Sequence, residues 1–229
     1  MLALIMAGGY GKRLRPLTYT MPKSLIKVGG KPVIYWQIKW LEAKGVDKFV
    51  LLGGYKAHML VSYIKSIGYN KYFSFSTEKK PLGTAGAIKN ASPLIDDEES
   101  FFVINGDNVT DIDISKLRLY NHDVCAISLV PYRSEKGIVE SSRYRVVGFE
   151  EKPLIEGYWF NAGVTLASVS LLDILPKSGS LEQDIFPRLV KSRQLSCFKF
   201  RDIYFNSIDS FKDIEVIDKD LKSGKANIS

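Results

Sequence analysis

Apolar residues run unbroken from Leu2 to Ala7 and stop at Gly8-Gly9. A run without alternation predicts a central strand covered on both faces. The next apolar signal has helical spacing. Ile34, Ile38 and Leu41 fall on one face, Pro32 opens the helix where its missing N–H costs nothing, and Gly45 closes it. Between the two lies a loop, from Gly8 to about Lys31, rich in Gly, Arg, Lys and Pro. A second strand is predicted over Lys48 to Leu52 and a second helix around Leu60, Tyr63, Ile64 and Ile67, with Gly68 as its stop. Then come a strand over Tyr72 to Ser76, a helix near Thr84 to Asn90, and a strand over Phe101 to Ile104 that ends on Asn105-Gly106-Asp107.

This alternation predicts an α/β fold, Rossmann-like and three-layered, with a mixed, mainly parallel central sheet. Ligands of such sheets sit in the crevice beyond the carboxyl ends of the strands. Two strands end in sequence suited to a site, Gly8-Gly9 and Gly106-Asp107, so both are expected to face one crevice. The second half is less regular. Strands are predicted over Asp123 to Val130, Gly137 to Glu140, Arg145 to Glu150, Phe160 to Ala167 and Ile203 to Phe205. Ser180 and Gln183 have the spacing of a capping box, Pro187 should kink or split the helix it opens, and a polar helix follows from about Ser210. No internal repeat, low-complexity linker or domain boundary is visible.

At 229 residues, 45% apolar and 25% charged, the chain can build one core of ordinary density, so a single domain over 1–229 is expected. No apolar run approaches the roughly 18 residues that cross a bilayer, and the first run lacks the basic leader of a signal peptide. Cys125 and Cys197 have neither metal nor redox spacing. Both are expected in the core of a cytoplasmic protein. The net charge of +7 suits nucleic acid, acidic lipid or a phosphorylated substrate. Its Lys and Arg are spread among acidic residues, so a basic solvated surface is expected, with no nucleic-acid or membrane partner. The acidic run Asp96 to Glu99 is expected to be a solvated loop rather than a metal site.

The chemistry concentrates in Ala7-Gly8-Gly9-Tyr10-Gly11-Lys12-Arg13, followed by Arg15-Pro16-Leu17-Thr18 and Pro22-Lys23. Glycines after a strand let backbone approach a nucleotide without Cβ clashes. Arg and Lys in the same loop suit a triphosphate. Two common phosphate motifs are excluded. A dinucleotide fingerprint starting at Gly9 needs Gly or Ala where Leu14 stands, and a P-loop ending at Lys12 needs Gly at Met6 and Ser or Thr at Arg13.

The stretch AGGYGKRLRPLTYTMPKSLIKVGGKPVI resembles the signature of the sugar-1-phosphate nucleotidylyltransferases, the nucleotide-sugar pyrophosphorylases. The resemblance continues in order through Glu78-Lys-Lys-Pro-Leu-Gly83-Thr84-Ala-Gly86, Asn105-Gly106-Asp107, Gly137-Ile-Val-Glu140, Phe149-Glu150-Glu151-Lys152-Pro153, Asn161-Ala-Gly163 and Leu181-Glu182-x-Asp184, covering nearly the whole chain. It implies that a sugar 1-phosphate attacks the α-phosphorus of a nucleoside triphosphate and releases pyrophosphate. It further implies that Arg13, Lys23 and Asp107 are catalytic, with Arg13 on the departing phosphates. Ala7, Gly8, Gly9, Gly11, Lys12, Glu78, Gly83, Thr84 and Gly106 would cradle the nucleotide. Gly137, Glu151, Lys152, Asn161 and Gly163 would hold the sugar phosphate, and Asp107 would bind Mg²⁺. The nucleotide side would be about 1–110 and the sugar side about 111–229.

One segment departs from the family pattern. Where many members carry Trp-x-Asp-x-Gly-Thr-Pro, this chain reads Phe205-Asn-Ser207-Ile-Asp209-Ser-Phe, so Ser207 stands in the ligand register. Several cytidylyltransferases end similarly to Ile208-Asp209-Ser210, which makes Asp209 the expected second metal ligand. An Asp there could instead merely cap the last helix. The strings around Glu78, Asp111 and Glu150 look most like guanylyltransferases of mannose 1-phosphate and heptose 1-phosphate, so GTP with mannose 1-phosphate is the first expectation. Thymidylyl- and uridylyltransferases of glucose 1-phosphate carry similar strings, and Asp209 keeps CTP open. A non-catalytic nucleotide sensor or scaffold on this fold is the alternative of another class, and a homodimer is left open. Asp111-x-Asp113 matches the metal motif of glycosyltransferases only over three characters. No hexapeptide repeat is present, so the left-handed β-helix of many relatives is not expected.

Overall fold

The structure, a computed structural model, describes residues 1–95 and 98–228. The chain opens with β1 (Leu2–Ala7), the one-turn α1 (Leu17–Thr20) and a small hairpin of β2 (Lys27–Val28) and β3 (Lys31–Pro32). Helix α2 (Val33–Ala43), strand β4 (Lys48–Gly53), helix α3 (Ala57–Ser66), strand β5 (Phe73–Thr77), helix α4 (Gly83–Asn90) and strand β6 (Ser100–Asn105) continue the alternation. There follow β7 (Asn108–Thr110), β8 (Cys125–Arg133), the hairpin β9 (Ile138–Ser142) and β10 (Arg145–Glu150), and the long β11 (Leu154–Ser168). The last part holds α5 (Leu171–Ile174), α6 (Phe186–Lys191), β12 (Leu195–Lys199), β13 (Phe205–Ser207) and α7 (Phe211–Lys222).

Seven strands form one sheet in the order β12-β8-β11-β6-β1-β4-β5. Parallel pairing joins β1 to β4 and β6, β4 to β5, and β12 to β8. Only β11 runs against its neighbours β6 and β8. The unbroken apolar run of β1 has a simple cause. Ala3, Ile5 and Ala7 enter one core with Ile34, Ile38, Leu41 and Leu60, whereas Leu2 and Leu4 enter the other with Ile88, Leu171 and Leu181. Both faces of the sheet are covered, so alternation would have buried polar groups.

Chain order reverses at β1, with β4 and β5 on one side and β6 on the other. That switch opens a crevice beyond the carboxyl ends of β1 and β6. The Gly106 N–H donates to the Met6 carbonyl at 3.0 Å, which draws the two strand ends together. A Cβ at Gly106 would strike that same carbonyl. Gly106→Ala is therefore expected to destabilise the fold by about 1–3 kcal/mol, the usual range for overpacking a filled site. Thermal unfolding checks this, and an unchanged midpoint would show that the strand ends yield freely.

Several sequence expectations need correction. Pro32 is not the first helical residue but the extended N-cap of α2, with φ −59° and ψ 151°. The stretch from Gly8 to Lys31 is not simply a loop: it contains 3₁₀ turns at Lys12–Leu14 and Lys23–Leu25, α1 and the β2–β3 hairpin. At Ser180 only half of the capping box forms. The Ser180 hydroxyl accepts the Gln183 N–H at 3.2 Å, but the Ser180 N–H donates to Asp184 rather than to Gln183. The split expected at Pro187 is present, as a π-helical turn over Leu181–Ile185 followed by α6. The strand expected over Ile203 to Phe205 lies two residues later. Cys125 is buried, and burial pushes its thiol up to about 12. Cys197 is exposed, contrary to expectation, because it lies on the edge strand β12. Of the acidic run, Asp96 and Asp97 lie outside the described residues, and Glu98 pairs with Lys48 at 2.8 Å. No helix among the described residues is long and apolar enough to cross a membrane.

Candidate active site

The segment after β1 is shaped by Gly11, whose φ of +58° lies in the left-handed region. A Cβ there would come within 2.8 Å of Thr18 Cγ2, and the Thr18 hydroxyl donates to the Gly11 carbonyl at 3.0 Å. Buried Leu14 roots the following 3₁₀ turn, which leaves the Arg13 side chain 78% exposed. The chain then returns toward the sheet at Pro22 and delivers Lys23.

The Lys23 ammonium is the centre of the site. It donates to Asp107 Oδ2 at 2.6 Å and to Asp209 Oδ1 at 3.0 Å, and its side chain is only 17% exposed. Asp107 stands just past β6 at the crevice. Asp209 arrives just past β13, which pairs antiparallel with β7. Arg13 Nη2 lies 3.3 Å from Asp209 Oδ1. Ser207, the residue in the expected ligand register, donates its hydroxyl to Asp209 Oδ2 at 3.0 Å. Burial raises the Asp209 carboxyl, but the Lys23 ammonium, the Ser207 hydroxyl and Arg13 outweigh it and hold the group below the usual carboxylate range. Asp209 is thus ionised at neutral pH. It is not the cap of α7: Ser210 is, in a capping box with Asp213.

Beside this centre lies a cleft of about 340 Å³, in the size range of small-ligand sites. Seven of the residues expected around a nucleotide line it, Ala7, Gly8, Gly9, Glu78, Gly83, Thr84 and Gly106, together with the catalytic candidates Lys23 and Asp107. Gly8 and Gly54 leave space for Glu78, since a Cβ on either would come within 2.9 and 2.7 Å of Glu78 Oε1. The other oxygen, Oε2, accepts the Leu82 N–H at 2.9 Å. Gly83 has φ +73°, and a Cβ there would strike the Gly179 carbonyl. Thr84 donates to Glu182 Oε2 at 3.0 Å and accepts the Leu181 N–H at 2.7 Å. Gly11, Lys12 and Arg13 are not among the lining residues.

The five residues expected on the sugar side separate into two groups. Gly163, on β11, packs against the Asn105 side chain of the cleft wall, and its N–H donates to Asn161 Oδ1 at 3.0 Å. Gly137, Glu151 and Lys152 sit instead at the base of the β9–β10 hairpin. A Cβ on Gly137 would come within 2.7 Å of Phe149 and 2.9 Å of Glu151. Lys152 has φ +49° and lies 3.9 Å from Glu151, while Arg133 donates to its carbonyl at 2.9 Å. Among the described residues Lys152 makes no ion pair with Asp107 or Asp209. A further cavity, which the sequence did not suggest, opens on the other side of Asp209 and is lined by Arg13, Tyr132, Arg133, Phe160 and Phe205. Asp111 and Asp113 serve local structure rather than a ligand: Asp111 accepts the Tyr204 N–H at 2.8 Å, and Asp113 accepts both the N–H of Ser115 at 3.3 Å and its hydroxyl at 2.7 Å.

No three His, Cys, Asp or Glu residues converge among the described residues. Two carboxylates facing one cation nonetheless fit Mg²⁺, which uses one or two carboxylates and completes its shell with water and phosphate oxygens.

A mainly parallel sheet whose switch crevice carries a glycine cradle and a lysine held between carboxylates belongs to the nucleotide-handling α/β proteins. Comparison with known sequences is more specific. The model of the nucleotidyl transferase family matches residues 2–223, and the chain belongs to that family. It is 36% identical to the mannose-1-phosphate guanyltransferase of Aspergillus oryzae over 86% of its own length and 58% of that protein. It is 34% identical to the mannose-1-phosphate guanylyltransferase catalytic subunit beta of Dictyostelium discoideum, over 90% of this chain and 60% of that one. The chain thus spans somewhat more than half the length of these relatives. Among solved structures, HddC from Yersinia pseudotuberculosis complexed with GMP-PN has a TM-score of 0.75 at 28% identity, over 96% of this chain and 99% of its own. A Bacillus anthracis structure at 19% identity and TM-score 0.76 shares the fold.

Proposed function

We propose that this protein joins a nucleoside triphosphate to a sugar 1-phosphate, and that its substrates are GTP and mannose 1-phosphate, giving GDP-mannose and pyrophosphate. The observation that carries the reading is the Lys23 ammonium shared by Asp107 and Asp209 immediately beyond the glycine cradle. An oxygen of the sugar phosphate attacks the α-phosphorus in line, and the bond to the pyrophosphate oxygen breaks. Phosphoryl transfer of this kind needs alignment and charge neutralisation more than covalent help. Lys23 turns from the carboxylates to the phosphates, and exposed Arg13 meets the departing pyrophosphate. Asp107 and Asp209 are the residues that would hold Mg²⁺, which would add neutralisation of phosphate charge. Gly137, Glu151, Lys152, Asn161 and Gly163 are assigned to the sugar phosphate. The base of the β9–β10 hairpin is then the part of the molecule that must meet that substrate.

The base preference rests on two supports. The relatives named above are guanyltransferases, and HddC was solved with GMP-PN. In addition, a carboxylate only accepts hydrogen bonds, and Glu78 places one in the cleft. Guanine offers adjacent N1–H and N2–H donors, whereas thymine and uracil offer only N3–H.

Pyrophosphate release with Mg²⁺, crossing GTP, dTTP, UTP and CTP with mannose, glucose and heptose 1-phosphates, tests this reading. Release that needs both GTP and mannose 1-phosphate is expected. Another productive pair would correct the substrates, and silence across the panel from protein that binds a nucleotide would favour the non-catalytic alternative.

A further inference from the structure

Lys23, Asp107 and Asp209 reach one point from three distant segments, and the turn Asn105–Asn108 ties those segments together. Ile208, next to Asp209, donates its N–H to the Asp107 carbonyl at 3.1 Å. Gln37 Nε2, from α2, donates to the carbonyls of Asn105 at 2.7 Å and Asn108 at 3.0 Å. The remaining carbonyl, that of Gly106, accepts the hydroxyl of Ser24 at 2.6 Å. Ser24 is the residue after Lys23 and is buried, 3% exposed. Its hydroxyl therefore links the segment that carries the lysine directly to the turn that carries Asp107.

The two ion pairs of Lys23 cannot hold that lysine in place through a reaction in which the ammonium turns to phosphate. The Ser24–Gly106 bond can, because it joins two protein atoms and does not involve the ammonium. We propose that Ser24 is a positioning residue that acts through Lys23, keeping the base of the lysine side chain registered on the Asp107 turn while its ammonium changes partners. The proposal rests on the reading of Lys23 as a phosphate-binding group. A long, flexible side chain swings about its backbone anchor, and small displacements of a charged group at a reacting centre cost large factors in rate.

The test is a double-mutant cycle with Ser24→Ala and Lys23→Met, read by pyrophosphate release and by calorimetric binding of GTP and of guanosine. Ser24→Ala is expected to lower kcat ~10-fold and GTP affinity ~5-fold, with guanosine binding unchanged. In the Lys23→Met background the same substitution is expected to change each readout less than ~2-fold, because non-additivity of this kind marks residues acting as one unit. Ser24→Cys keeps the volume with a weaker donor, should fall between, and serves in the same cycle if Ser24→Ala does not fold. Equal losses in both backgrounds, or guanosine weakened as much as GTP, would overturn the proposal and leave Ser24 a packing residue. Wild-type protein that binds GTP without turnover would sink the reaction but not this assignment, since the GTP–guanosine difference still reads it. Wild-type protein that binds GTP no better than guanosine would overturn both.

Discussion

Asp107→Asn is expected to lower kcat/KM with GTP and mannose 1-phosphate by roughly 10³-fold, about 4 kcal/mol of transition-state stabilisation. The substitution keeps the shape of the side chain and removes its charge. Asp107 stands where the two central strands end, and its oxygen is 2.6 Å from the Lys23 ammonium. Losing it does two things at once. It removes one of the two carboxylates available to a cation, and it leaves Lys23 paired with Asp209 alone, so that the lysine shifts toward the Asp209 side. Both effects fall on charge that develops in the transition state, so kcat should carry most of the loss. The midpoint of thermal unfolding should move little, because the backbone of the turn is held by Met6, Gln37, Ser24 and Ile208 rather than by the carboxylate. Initial rates beside a melting curve check the pair of expectations. Near wild-type turnover would remove Asp107 from the machinery, and a large loss of stability would make its role structural.

The parts of this site that were legible in the sequence are those where chemistry and chain proximity coincide. Gly8 and Gly9 follow the central strand directly, and Gly106-Asp107 follow its neighbour, so reading two strand ends was enough to place both in one crevice. The β1 run was readable because a strand with a core on each face has no polar positions. Ser24 and Gln37 were not readable as parts of the site. A lone serine beside a lysine has no distinctive pattern. Gln37 sits on the apolar face marked by Ile34 and Ile38, and its burial to 1% is explained only by two carbonyls that arrive from about seventy residues away in the chain. The separation of Lys152 from Asn161 was hidden for a similar reason. The two lie nine residues apart, but the long strand β11 carries the chain from the hairpin base to the cleft wall between them. A strand advances about 3.3 Å per residue, so neighbours in a motif can stand far apart in space. Cys197 failed as a core residue because hydrophobicity does not reveal which strand ends up at a sheet edge.

The irregular ending of the chain leads to the sharpest contrast between two neighbouring residues. Asp209→Asn is expected to lower turnover by roughly 10²–10³-fold, whereas Ser207→Ala should cost less than ~5-fold. In the family register Ser207 holds the ligand position, yet its hydroxyl points its proton at Asp209 Oδ2, at 3.0 Å, and so acts in support of that carboxylate. Asp209 has the charged partners: Lys23 at 3.0 Å and Arg13 at 3.3 Å. The pair to the exposed Arg13 adds little by itself, since solvent screens it. The pair to the half-buried Lys23 is the one whose loss matters. Removing the Ser207 hydroxyl withdraws one neutral hydrogen bond from a carboxylate still held by that ammonium, worth about 1 kcal/mol at most. The Mg²⁺ concentration for half-maximal rate adds a second readout, expected to rise severalfold in Asp209→Asn and to stay near wild type in Ser207→Ala. The opposite order, with Ser207→Ala severe and Asp209→Asn mild, would return the metal to the usual family register and reduce Asp209 to a counterion of Lys23.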